Sequence, residues 1–246
     1  MWVRWKGRTD SKRACAAKRA SMNETIFAVY KEKGLTSHDV VDRVRAVSGV
    51  RKVGHAGTLD PLARGVLVIG VGRKATRQLG RLSQKEKEYI GAIRLGARSN
   101  TDDAEGKITE VQGAKVVSKD DVLKAVCCFE GEIMQRPPKF SAVKVGGRCA
   151  YKLARAAKGF ELGERAVLIK EIEVVGFVWP MLEMRVVTGP GVYIRALARD
   201  IGEKLGTGGY LVELERTRVG EYRKGAALRL GDLKSIDWSF VKEGHS

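Results

Sequence analysis

The run Val66-Leu67-Val68-Ile69-Gly70-Val71-Gly72 constrains the fold more than any other stretch of the chain. Five Leu or β-branched residues in so short a segment predict a strand covered on both faces. The stretch before it, Val53 to Gly65, reads as a loop. It carries Gly54, Gly57 and Gly65, and Pro61 has no N–H to give to a ladder. Asp60 precedes Pro61, so its backbone is pushed out of the α region. A carboxylate is thereby mounted on a stiff loop beside a buried strand, as a nucleophile or general base requires. By itself an Asp-Pro step is also a common turn initiator, and both readings stand at this point.

The chain has 246 residues, of which 43% are hydrophobic and 30% charged, enough for one large domain or two small ones around a sizeable core. No apolar run approaches the roughly 18 residues of a membrane helix. The net charge of +17 and pI of about 9.9 predict a polyanionic partner, nucleic acid first and a membrane surface second. Cys15, Cys127, Cys128 and Cys149 show no metal-ligand spacing and read as reduced, mostly buried thiols. With three histidines, a histidine-rich metal site is not expected.

Along the chain, residues 1–22 form a basic lead without the apolar segment of a secretory signal, expected to be a disordered tail. Residues 25–30 read as a strand. Ser37 is expected to cap a helix running to about Val47, with Asp39 in its first turn. Arg73, Lys74, Arg77 and Arg81 mark a basic helical stretch suited to phosphate contacts or to a solvated face. Residues 87–96 read as a strand with Tyr89, Gly91, Ile93 and Leu95 on one face. The acidic segment 98–106 reads as a solvated turn. A helix capped by Ser118 follows. Then Pro137-Pro138 forces an extended entry to a strand over 140–145, carrying Phe140 and Lys144 on a basic surface suited to single-stranded nucleic acid. Residues 167–179 and 182–188 read as a hairpin turning at Pro180. Ile194, Leu197, Ala198, Ile201 and Leu205 make one helix face ending at Gly206. Arg195 lies in the first turn of that helix, where the macrodipole disfavours a cation. It points to solvent or it has a carboxylate partner, for which Asp60 is the candidate.

Four ordered motifs carry a resemblance. Gly-His-Ala-Gly-Thr-Leu-Asp-Pro-Leu-Ala-Arg-Gly at 54–65 resembles the active-site loop of the TruB family of RNA pseudouridine synthases. Lys-x-Tyr with Leu-Gly at 87–96, Pro-Pro-Lys-Phe-Ser-Ala-Val-Lys at 137–144 and Gly-Val-Tyr-Ile-Arg-Ala-Leu at 191–197 resemble its other signatures. The likeness spans roughly residues 25–220 and includes Lys-x-x-Gly-x-x-Ser at 31–37. It implies an α+β pseudouridine synthase fold with a mixed, largely antiparallel central sheet flanked by helices. The expected organisation is a basic extension, 1–22, and a catalytic domain, 23–246.

The resemblance further implies isomerisation of a uridine in RNA, in the bacterial branch uridine 55 of the tRNA T loop. Asp60, Tyr89 and Arg195 are then the catalytic residues. His55, Gly57, Leu214, Lys144 and Arg77 are the expected substrate contacts, with His55 filling the space the flipped base leaves. No metal or cofactor is expected. The expected partner is the T arm of tRNA, and the expected form a cytoplasmic monomer without membrane association. The sequence departs from the family at Ala56, Arg64, Asn100 and Glu215, of which Arg64 and Glu215 are expected to alter RNA contacts. It ends soon after Trp238, where longer members continue into a PUA-type domain. A non-catalytic RNA-binding protein and a synthase guided by RNA inside a ribonucleoprotein are the alternatives.

Overall fold

The computed structural model describes residues 26–141, 143–156 and 159–238; the basic lead 1–22 lies outside the described residues. Its frame is one ten-stranded sheet. Strand β1 (Ile26–Lys31) pairs antiparallel with β3 (Arg64–Val71), the buried apolar run of the sequence. Seven of the eight residues of β3 are buried, as a two-sided apolar strand requires. Between them come helix α1 (Ser37–Ser48) and the short strand β2 (Val53–Ala56). Val53 to Ala56 was expected to be loop. It pairs antiparallel with the far end of β3, because Val53 and Ala56 are buried against the sheet. The true loop is therefore shorter, residues 57–63.

Helix α2 (Arg73–Ser83) carries the basic stretch and leads to β4 (Lys87–Leu95), whose Tyr89, Gly91, Ile93 and Leu95 face inward as the period of two predicts. A small hairpin follows, β5 (Ala97–Ser99) with β6 (Ile108–Glu110), then helix α3 (Lys119–Cys127), capped by Ser118 and Asp121 in a reciprocal box. Strand β7 (Gly131–Gln135) forms one edge of the large sheet. Of the strand expected over 140–145, the described residues form β8 (Lys144–Val145), paired with β9 (Arg148–Cys149) about the Gly146-Gly147 turn. Helix α4 (Ala150–Arg155) leads to the hairpin of β10 (Arg165–Val178) and β11 (Met181–Thr188), which turns at Trp179-Pro180. Helix α5 (Ile194–Lys204) ends at Gly206, which takes the left-handed conformation (φ 71°). Strand β12 (Gly209–Val219) enters the middle of the sheet, and β13 (Tyr222–Arg223) and β14 (Leu228–Arg229) complete it.

The order is β14-β1-β3-β12-β4-β11-β10-β7, with β2 on β3 and β13 on β12. Among the described residues only the β1–β14 and β3–β12 strand pairs of this sheet are parallel, so the sheet is mixed and largely antiparallel, as expected. Strand β3 divides one of its edges. Arg64 and Gly65 pair with Glu215 and Arg216 of β12, while residues 68–71 pair with β2. The loop 57–63 thus leaves the sheet where β2 and β12 part. Gly65 makes this possible. Its φ is 118°, and a Cβ there would lie 2.2 Å from the Arg216 carbonyl oxygen.

Two further expectations change, and two departures from the family find partners within the fold. Thr36, not Ser37, caps α1, its hydroxyl accepting the Asp39 N–H while Asp39 accepts the Thr36 N–H. Cys127 and Cys128 are exposed, because α3 turns Val122, Ala125 and Val126 inward instead. Glu215 is buried, accepts the Tyr30 hydroxyl at 2.7 Å and pairs with Lys224 at 2.6 Å. Arg64 lies opposite it across the parallel pair, 3.9 Å away, so the two departures partner each other.

Candidate active site

The loop 57–63 is held residue by residue. Arg216 on β12 is 1% exposed, and its guanidinium donates to the carbonyls of Val66 (2.7 Å), Gly57 (3.1 Å) and Thr58 (3.4 Å). The Gly34 N–H donates to the Pro61 carbonyl at 2.8 Å, and the Ala63 N–H to the Asp60 carbonyl at 3.0 Å. Leu59 and Leu62 are buried in the core beneath. What remains free is the Asp60 side chain, 37% exposed on a fixed backbone.

Arg195 meets it. Its Nε lies 2.9 Å from Asp60 Oδ2, the only side-chain partner Asp60 has among the described residues. The contact is an ion pair rather than an aligned hydrogen bond, since Nε lacks a partner in hydrogen-bond geometry. The macrodipole objection to a cation in the first turn of α5 is thus answered by carboxylates, as the sequence suggested. There are two of them. Arg195 Nη1 also lies 3.3 Å from Asp103 Oδ2 and donates to the Thr101 carbonyl at 3.0 Å, while Nη2 donates to the Phe140 carbonyl at 3.2 Å. The guanidinium, 5% exposed, therefore ties the Asp60 loop, the 101–103 segment and the Phe140 segment together.

The acidic segment read as a solvated turn is part of this site. Asp103 is 2% exposed, and its Oδ1 accepts the Thr101 hydroxyl (2.6 Å) and the Glu105 N–H (3.0 Å). Asp102 pairs with Arg199 at 2.9 Å, and burial pushes its carboxyl up from the usual range. Charge spacing alone could not show this, because the partners lie on α5, some ninety residues away.

Asp60 and Arg195 line a cavity of about 470 Å³ together with Gly57, Tyr89 and Leu214. These five of the expected site residues come together. Tyr151, Tyr193 and Phe140 add aromatic surface to the same cavity and were not singled out for it. Lys87 reaches its wall but donates to the carbonyls of Ser83 and Lys85. Burial pushes its ammonium down to about 8, with Arg216 adding to the effect. Lys31 is wholly buried beneath the loop, and burial takes it down to about 8 against the upward pull of Asp60.

His55, Arg77 and Lys144 stand outside the cavity. His55 lies on β2 with Nδ1 buried and unpaired. Burial, then Arg216, lowers its pKa, so the imidazole is neutral. Arg77 is exposed on α2, which packs against β2, and Lys144 is exposed on the β8–β9 hairpin.

A fixed carboxylate paired with a buried arginine in an aromatic pocket suits chemistry on a planar ring held against that carboxylate. The family model described as TruB family pseudouridylate synthase (N terminal domain) matches residues 45–194, and the one described as tRNA pseudouridylate synthase B C-terminal domain matches 195–245. The chain belongs to the TruB family. It is accordingly a pseudouridine synthase, an enzyme isomerising uridine to pseudouridine.

The two matches join between Ile194 and Arg195, yet β12 from the second stands between β3 and β4 from the first. Both TruB matches therefore build one sheet and one site. The chain is 48% identical over 220 residues to tRNA pseudouridine synthase B of Thermobifida fusca (strain YX), covering 86% of this chain and 75% of that one. It is 47% identical over 218 residues to the synthase of the same name from Streptomyces avermitilis, covering 85% and 72%. Among solved structures it resembles a chain of a Cbf5-Nop10-Gar1 complex (TM-score 0.68, 29% identity, 93% of this chain and 59% of that one). A chain of an H/ACA RNP bound to a substrate RNA containing 2′-deoxyuridine is similar (0.66, 27%, 93% and 58%). This chain spans less than two thirds of either of those two.

Proposed function

We infer that the enzyme converts a uridine in the T loop of tRNA, position 55 in the bacterial branch, to pseudouridine, working as a cytoplasmic monomer on the T arm without a guide RNA. The observation that carries the reading is the Asp60–Arg195 pair, 2.9 Å apart at the wall of an aromatic cavity. The identity of 47–48% to synthases named for tRNA, against 27% to a chain of an H/ACA RNP, favours an unguided tRNA substrate.

The target nucleotide leaves its stack and enters the cavity. Tyr89 packs on the uracil and Leu214 covers its other side. Asp60 is the reacting carboxylate, and Arg195, 2.9 Å away, keeps it aimed. The C1′–N1 bond breaks, the uracil turns, and C1′ bonds to C5. The proton leaving C5 is balanced by the one N1 gains, so the reaction is redox-neutral and needs no group donor. Neutral His55 takes the place of the flipped base, and Arg77 and Lys144 contact phosphates on either side. Phosphate contacts of this kind position RNA without reading its sequence.

The test is to incubate the enzyme with an unmodified tRNA transcript, alone, and map pseudouridine. Wild type is expected to modify the T-loop site, and Asp60→Ala to bind the transcript without modifying it. Tight binding with no product from either protein would overturn the unguided reading.

A further inference from the structure

The Lys-x-x-Gly-x-x-Ser motif at 31–37 has no role in the chemistry above, yet its serine touches the residue beside Asp60. Ser37 is the first residue of α1 and 3% exposed. Its hydroxyl is not spent on the helix, because Thr36 provides the cap. Instead Ser37 Oγ accepts the Leu59 N–H at 2.8 Å and donates to the Leu59 carbonyl at 3.0 Å. One side chain thus satisfies both backbone polar groups of the residue preceding Asp60, 22 positions away. Gly34, from the same turn, holds the Pro61 carbonyl on the other side of Asp60.

The turn is itself rigid. Buried Lys31 donates to the carbonyls of Leu35 (2.6 Å) and Glu32 (3.1 Å). Arg216 grips residues 57 and 58, so the backbone on both sides of Asp60 is fixed from two directions. Without the Ser37 hydroxyl, Leu59 keeps a buried N–H and a buried carbonyl with no partner, and the loop must shift to satisfy them. The adjacent carboxylate would move with it, and its contact with Arg195 depends on placement to a fraction of an ångström.

We propose that Ser37 is a positioning residue for Asp60, holding the Leu59 peptide groups so that the carboxylate faces Arg195 and the bound uracil. The inference rests on Asp60 being the reacting carboxylate. Thr36→Ala is the control. It removes the cap of the same helix, an exposed residue that makes its hydrogen bonds with Asp39.

The experiment measures single-turnover pseudouridine formation and tRNA affinity for wild type, Ser37→Ala, Thr36→Ala and Asp60→Ala, at a temperature where melting curves show all four folded. It also follows hydrogen exchange at the Leu59 amide. Ser37→Ala is expected to lower the single-turnover rate about 10- to 100-fold with tRNA affinity within about twofold, and to speed Leu59 exchange while the sheet is unchanged. Thr36→Ala is expected to keep the rate within about twofold. Equal loss in the two variants would reduce Ser37 to a helix-stability residue and overturn the proposal. So would a wild-type rate in Ser37→Ala beside an inactive Asp60→Ala. An active Asp60→Ala would instead overturn the reading of Asp60 itself.

Discussion

Replacing Arg195 by Met separates what holds this site together from what reacts in it. The guanidinium and the Asp103 carboxylate have side chains 5% and 3% exposed, whereas Asp60 is 37% exposed. Removing one member of a buried ion pair costs about 3–5 kcal/mol, because the other charge is left without compensation. Asp103 keeps two hydrogen bonds to Oδ1, from Thr101 and Glu105, and loses only the partner of Oδ2. The lower end, about 3 kcal/mol, therefore applies. For a domain of this size that lowers the melting temperature by about 6–12 °C. Asp60→Asn should behave differently. Arg195 retains Asp103, and a partly exposed pair is worth about 0–1 kcal/mol, so the melting temperature falls by no more than about 4 °C. Both variants should form no pseudouridine. Adding Asp103→Asn to Arg195→Met removes the stranded charge and should recover at least half the lost stability, though no activity. Thermal melts and pseudouridine mapping read all four proteins. The reasoning fails if Arg195→Met melts within about 2 °C of wild type, or if Asp60→Asn is equally destabilised.

Other residues of the same fold carry their own expected outcomes. Gly65→Ala would drive a Cβ into the Arg216 backbone at a φ of 118°. It should cost more than about 4 kcal/mol and leave little soluble protein, as read from the soluble fraction on expression. The His55 pKa is lowered from 6.5 by burial, so below about pH 6.5 the unfolded chain binds a proton that the folded chain resists. Stability should therefore fall as pH drops through that range, and His55→Gln should flatten the dependence of melting temperature on pH. Arg77 is exposed on the basic helix α2, so Arg77→Ala should weaken tRNA binding, reduce the salt slope of log K by about one and leave the single-turnover rate unchanged. Titrating binding at several salt concentrations checks it.

Much of the frame was legible because its causes are local. The apolar run at 66–71 fixes a two-sided strand, the period of two places Tyr89 inward, Gly206 ends α5, and Asp60 stands before a proline that stiffens it. The misplacement of Arg195 against the helix dipole even signalled its carboxylate partner. Tertiary structure decided the rest, because it concerns partners distant in the chain. Val53–Ala56 is a strand only because β3 leaves part of an edge open to it. Asp103 looked like a surface charge until α5 brought Arg195 against it. Ser37 looked like a cap, but Thr36 took that role and left its hydroxyl for Leu59. Arg64 and Glu215 looked like separate departures until the parallel pairing of β3 with β12 set them opposite each other. Backbone propensity and hydrophobic period are written within a few neighbouring residues. The pairing of buried charges and the satisfaction of loop peptides depend on which strands and helices finally lie side by side.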